Sequence, residues 1–207
     1  MKPGNWLDRD YGAEAAQRLL DAAGELFAER GVAVVGMADV AHAAGCSRAT
    51  LYRYFASRTE LRTAFVHREA RRVGAAVAAE LADVTDPHER VLTGVQAALR
   101  RVRLDPTMSS WFRADAGGIG MSLGQSSPVI ETIVGGFLGE NAGEQAQRRA
   151  RWMVRMIVSL LAMPGTDPAD ERELLERFVR AVLDNDTDHD TDHDTDDEPS
   201  RRSGRRR

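Results

Sequence analysis

The chain has 207 residues, 43% of them apolar, and its 28 basic and 32 acidic side chains give a formal net charge of −4. That length suits one domain, with at most a small module attached, and the near-balance of charge excludes a uniformly basic nucleic-acid coat. A single cysteine, Cys46, excludes a disulfide framework and a cysteine-based zinc site. No apolar run approaches the ~18 residues of a membrane span, and the polar first ten residues hold no signal-peptide core. The chain is expected to be cytoplasmic, with no membrane partner.

The charge is unevenly spread. Asp184 to Glu198 carries nine acids and no base, and Arg201, Arg202, Arg205, Arg206 and Arg207 follow. This segment has little to bury and is expected to be disordered. Within the neutral remainder, residues 45–72 hold seven arginines against Glu60 and Glu69. An anionic partner is sought there.

The 3.6-residue period recurs along residues 1–183, and no stretch alternates as a half-buried strand does. Ala13 to Arg30 places Ala16, Leu19, Leu20, Ala23, Leu26 and Phe27 on one stripe, ended by Gly31. Met37–Ala44 and Ser47–Phe55 follow as short helices around Gly45. A long helix over 57–81 opens with the capping box Ser57-x-x-Glu60. Asp86-Pro87, Asp105-Pro106, Ser127-Pro128 and Asp167-Pro168 each set a capping side chain before a proline. Proline suits the first helical position because its missing N–H needs no partner there. Helices are expected over about 87–103, 106–113, 127–139 and 168–183, with another over 142–163. The sum is an all-α fold of about nine helices.

Residues 36–61 carry the functional information. Val40, Ala41 and Ala44 of one short helix can pack on Leu51 and Phe55 of the next, and Gly45 tolerates the positive φ of a tight turn. That is helix-turn-helix geometry, whose second helix enters the DNA major groove. Its exposed face shows Arg48, Ala49, Tyr52 and Arg53. Arginine bonds guanine edges, alanine touches a thymine methyl, and the hydroxyls of Thr50, Tyr52 and Tyr54 suit phosphates.

Ala13 to Phe65, above all G-C-S-R-A-T-L-Y-R-Y-F-A-S-R-T-E-L, resembles the DNA-binding domain of TetR-family transcriptional regulators. The resemblance implies base contacts by Arg48, Ala49 and Tyr52. It implies phosphate contacts by Ser47, Thr50, Arg53, Tyr54 and Arg58, the last standing where the family usually has lysine. Gly36 and Met37 replace the threonine that often begins the preceding helix, and Ala49 replaces a frequent glycine.

The resemblance further implies a division into a DNA-binding domain over 1–56, a ligand-binding and dimerisation domain over 57–183, and the tail 184–207. Helix 142–163 has two apolar stripes, so it can face a core and a partner at once. By resemblance, the last two helices build a homodimer, with Met153, Ile157, Leu161, Leu174, Phe178 and Val182 at the interface. Met108, Trp111, Phe112, Met121, Phe137, Trp152 and Met156 are the candidate lining of an apolar ligand pocket. Gly117 to Gly124 lacks the strand, lysine and spacing of a phosphate loop and is expected to be a mobile loop at the pocket mouth. Arg155 could serve as a counter-ion to an acidic ligand or pair with Glu173 or Glu176 across an interface.

The histidines form no nucleophile–base–orienter set, so no enzyme, cofactor or metal site is expected. The expected partners are double-stranded operator DNA, a small-molecule effector and a second copy of the chain. A ligand-responsive repressor fits this pattern. An activator or ligand-independent regulator of the same fold, and a helical adaptor, remain alternatives.

Overall fold

In the computed structural model, residues 6–113, 116, 118–125, 127–138 and 143–184 are described, and they contain ten helices and no strand. Helix α1 (Trp6–Arg30) buries Leu19, Leu20, Ala23 and Phe27 and stops at Gly31, which takes a φ of 84°. Helices α2 (Met37–Ala43), α3 (Arg48–Tyr54) and α4 (Arg58–Glu80) follow. The Ser57 hydroxyl accepts from Glu60 N at 3.1 Å, and the Glu60 carboxylate accepts from Ala56 N at 2.8 Å, which starts α4 where the capping box predicts.

All four X-Pro pairs begin helices. Asp86, Asp105, Ser127 and Asp167 each accept a backbone N–H from the first turn of α5 (Pro87–Leu104), α6 (Pro106–Ser109), α8 (Pro128–Phe137) and α10 (Pro168–Asp184). Helix α9 (Glu144–Ala162) lies between the last two of these. Two expectations are corrected. Helix α6 is four residues long and does not reach 113. Ile119–Gln125 forms helix α7 instead of a loop, packing on α9. Its glycines disfavour a helix intrinsically, but a side chain at Gly120 would collide with the Trp111 carbonyl oxygen. Close packing against Trp111 therefore outweighs propensity. The acidic and arginine-rich segment after Asp184 lies outside the described residues.

One core holds α1, α2, α3 and the first half of α4, and it also takes in Val102 of α5, Met108 of α6 and Trp111. At its centre the Trp111 ring stacks on Phe65, 5.6 Å between centroids, and Phe27 meets both rings edge-on at 5.2 and 5.3 Å. A second core joins α5, α9 and α10 through Val91, Val95, Leu99, Met153, Leu175 and Val179. Helix α4 belongs to both halves of the molecule, since Leu61 and Phe65 lie in the first core and Val77 packs farther along, with Leu81 and Ala97. The boundary expected at residue 56 is thus crossed by continuous packing.

Phe65→Ala should remove the stacked ring and leave a cavity between α1, α4 and Trp111, at a cost of ~3–5 kcal/mol. Urea denaturation of the variant measures it, and a cost below ~1.5 kcal/mol would show that the neighbouring elements collapse onto the site.

Candidate nucleic-acid interface and apolar chamber

Helices α2 and α3 are joined by a turn in which Gly45 adopts a φ of 66° and Cys46 N donates to the Ala41 carbonyl at 2.9 Å. Only a residue without Cβ takes that φ without strain. Val40, Ala41, Leu51 and Phe55 are buried and hold the two helices together. Helix α2 starts at Gly36 without a side-chain cap, and Asp39 accepts Gly36 N at 2.8 Å in its place. That bond, and then Arg30 beside it, hold the Asp39 carboxyl below its ordinary range.

Ser47 caps α3, its hydroxyl accepting from Thr50 N at 3.0 Å and lying 2.9 Å from the Thr50 hydroxyl. With Leu51 fully buried, the opposite face of α3 is open. Arg48, Ala49, Tyr52 and Arg53 are exposed, Tyr52 to 48%. The Arg53 guanidinium stands 5.4 Å from the centroid of the half-buried Tyr54 ring. The residues implied as base contacts thus share one solvent-facing surface with Ser47 and Arg53.

Arg58 differs. It is half-buried, and its guanidinium donates to the carbonyls of Ala33 and Val32, while Arg62 donates to Val32 as well. These two side chains tie the α1–α2 loop to α4. Burial, with Arg58 beside it, pulls the Arg62 guanidinium below its ordinary value. Arg68 bonds Asp21 at 2.6 Å and Glu69 at 2.9 Å, and Arg72 bonds Glu69 at 2.6 Å and also Asp105. Four arginines of the basic segment are therefore engaged within the chain. Arg48, Arg53 and Arg71 form no ion pair among the described residues.

Beyond this surface lies an apolar chamber of 140 Å³. Val66, Ala70, Val73, Gly74 and Val77 of α4 form one wall, and Val91, Val95 and Val102 of α5 another. Ile130, Ile133, Val134 and Phe137 of α8 and Met153, Val154, Ile157 and Leu161 of α9 close it, together with Met108, Trp111 and Phe112. A Cβ at Gly74 would stand 2.7 Å from Ile133, so glycine sets how closely α4 and α8 approach.

Four of the seven expected lining residues, Met108, Trp111, Phe112 and Phe137, are in the wall. Met121 and Trp152 are instead exposed, and the half-buried Met156 packs beside the second core. The interface expectation needs the matching correction. Met153 and Val182 are buried within the protomer, at 1% and 3% exposure, and Ile157 and Leu161 line the chamber. Phe178 is half-buried against the second core, and Leu174 remains outward at 46%. The stripe of α9 that holds Trp152, Met156, Leu160 and Met163 is divided: Leu160 is buried in the second core and Met156 packs beside it, while Trp152 and Met163 lie outward. Arg155 is exposed, and Glu173 and Glu176 pair with Arg177 and Arg172 on their own helix.

Sequence reading missed one contact. His67 Nε2 on α4 lies 2.8 Å from the Ser127 hydroxyl that caps α8, joining two chamber walls. A histidine and a serine sixty residues apart carry no local signal of such a pair.

An open recognition helix on a helical body with an apolar chamber defines a helix-turn-helix transcriptional regulator. The model of the family described as bacterial regulatory proteins, tetR family, matches residues 19–65. The uncharacterized HTH-type transcriptional regulator Rv1255c of Mycobacterium tuberculosis H37Rv is 47% identical over 182 residues, covering 86% of this chain and 90% of that protein. Among solved structures, the TetR family repressor AlkX from Dietzia sp. has a TM-score of 0.64 at 23% identity, covering 82% of this chain and 95% of its own. RolR, solved in complex with resorcinol, has a TM-score of 0.65 at 22% identity, covering 84% of this chain and 90% of its own.

The chain belongs to the tetR family of bacterial regulatory proteins, a family of transcriptional regulators and not of enzymes. Among the described residues no helix is long and apolar enough to cross a membrane, and no group of three or more metal-ligating side chains is present.

Burial, and then the charge of Arg71, hold His67 below its ordinary imidazole value. The folded state therefore favours the neutral ring. Stability from this group is present above ~pH 6.5 and falls as pH drops toward the lower folded value. His67→Gln keeps a partner for Ser127 and should flatten that decline in urea titrations at several pH values between about 7.5 and 5.5. An unchanged slope would place the titration elsewhere.

Proposed function

We propose that the chain is a ligand-responsive repressor that binds a palindromic operator as a homodimer and is released by a small, mostly apolar effector. The observation that carries this reading is the double membership of α4. Its first turns pack with the recognition module, and its middle turns form a wall of the chamber. A molecule that prefers one position of α4 and a DNA site that prefers another must weaken each other by the same factor.

In this reading Arg48, Ala49 and Tyr52 meet base edges, and Ser47, Thr50, Arg53 and Tyr54 meet phosphates. Arg58 reaches phosphate only by leaving the Val32 and Ala33 carbonyls, so its first role is to hold the loop before α2. The second copy docks on the outer faces of α9 and α10, where Trp152, Met163 and Leu174 leave apolar surface in water. A dimer sets two recognition helices about one helical turn of DNA apart or a little more.

Selection of bound DNA from a random pool gives the operator and tests the whole reading, since a palindrome is required. Arg53→Ala should then weaken binding to every sequence and lower the slope of log affinity against log salt by about 1, because one phosphate contact releases its counterions. Arg48→Ala and Tyr52→Ala should change base preference, by ~1–3 kcal/mol for a lost bidentate pair in the arginine case. Uniform losses in all three variants would remove the division between base and phosphate contacts.

Trp152→Glu and Leu174→Glu should yield folded monomers in analytical ultracentrifugation, because each side chain is nearly half exposed within the protomer. Dimers that persist in both variants would put the interface on another face.

A further inference from the structure

Among the described residues, none that lines the chamber carries a hydroxyl, carboxamide, imidazole or charge. The one side-chain nitrogen among them, Trp111 Nε1, has essentially no accessible surface and offers nothing to an occupant. The wall is built mainly from turns of α4, α5, α8 and α9, and helical amides bond along their own helix. At the remaining side, Trp111 N and Phe112 N donate to the Met108 and Ser109 carbonyls, each at 3.1 Å. Buried water needs polar partners, so this space does not hold it. A carboxylate or ammonium that sheds its water to enter finds nothing to bond in return, and a hydroxyl or carbonyl meets the same penalty in smaller measure. Leaving the space empty is costly too, because the atoms around it lose dispersion contacts. A hydrocarbon restores those contacts and leaves no group unpaired.

We propose that the chamber selects a hydrocarbon effector, with no hydrogen-bonding or charged group, and recognises it by excluding polar atoms and by size. This rests on the reading that the chamber is the effector site. The 140 Å³ is close to the ~150 Å³ engineered cavity that binds benzene, so the occupant is a single ring or a chain of similar bulk. Val73, Val77, Val95 and Ile133 are β-branched side chains on helices, each with essentially one favoured rotamer, so the wall yields little to a larger guest. With no hydrogen bond to make, affinity follows the hydrocarbon surface removed from water. Each CH₂ that the space accepts tightens binding about fourfold.

The test uses four small probes on the unmutated full-length protein: benzene, toluene, phenol and benzoate. Calorimetric titration should show saturable binding of benzene and toluene, with toluene about fourfold tighter. Phenol matches toluene in shape but carries a hydroxyl that the chamber cannot satisfy, so it should bind roughly fivefold more weakly than toluene, or worse. Benzoate should not bind at neutral pH. Location is read from protein labelled with ¹³C at the methionine methyl groups. The ring current of bound toluene should move the signals of Met108 and Met153, which line the chamber, and leave those of the exposed Met121 and Met163 in place. Met108→Leu and Met153→Leu assign the two wall signals. Phenol or benzoate binding as tightly as toluene while moving Met108 and Met153, or benzene and toluene binding equally, would overturn the hydrocarbon assignment and leave the chamber as a ligand site. If no probe binds, or if toluene moves neither Met108 nor Met153, the chamber reading itself fails.

Discussion

Three aromatic rings join the two halves of this molecule. Phe27 comes from α1, Phe65 from α4 and Trp111 from the segment after α6, and each ring contacts the other two. Stacked and edge-on pairs have narrow geometric preferences, so α1 cannot rotate against α4 without breaking favourable contacts. Trp111 also lines the chamber, and Met108, one turn before it, is shared by the same core and the same wall. The recognition module is thus seated on residues that also line the chamber. Close-packed interiors respond to a change in volume by shifting whole elements, because there is little slack to absorb it locally. That is the physical content of the coupling proposed between the two ends of α4.

Much of the chamber wall is stiff. Valines and isoleucines from α4, α5, α8 and α9 face it, and β-branched side chains in helices have essentially one favoured rotamer. They cannot fold inward to fill the space as leucine or methionine would. Gly74 brings α8 against α4 at one point, and the His67–Ser127 bond pins the same two helices seven residues earlier on α4. The two contacts fix the spacing of these walls.

Much of this was legible in the sequence where the cause is local. Proline after a capping residue announced four helix starts, and Ser57 with Glu60 announced a fifth, because each signal is satisfied within one turn. The turn at Gly45 and the open face of α3 followed from spacing alone. Failures came where the cause is tertiary. Ile119–Gln125 reads as a loop by composition, but Gly120 is needed for close contact with Trp111. The two stripes of α9 were both visible, yet nothing in periodicity says which faces inward. Trp152 is the larger side chain and was placed inside, whereas Met153, Val154 and Val158 are the buried ones. A hydrophobic stripe predicts burial, and in a chain whose family pairs two copies the burying partner need not be the same protomer.

The basic segment carries the same lesson for charge. Seven arginines against two acids over 45–72 suggest a surface dedicated to an anion, but the fold brings Asp21 and Asp105 to that segment and buries Glu69 between Arg68 and Arg72. Arg58 and Arg62 turn to backbone carbonyls. What remains unpaired toward solvent is Arg48 and Arg53 on the short recognition helix and Arg71 on α4. Few cations on a rigid element suit a regulator better than a diffuse basic coat. Phosphate attraction is indifferent to sequence, so each added surface arginine raises affinity for every competing site in the genome as much as for the operator. Neutralising most of the cluster internally favours discrimination over total affinity. A chain with a net charge of −4 can therefore be a DNA-binding protein without contradiction.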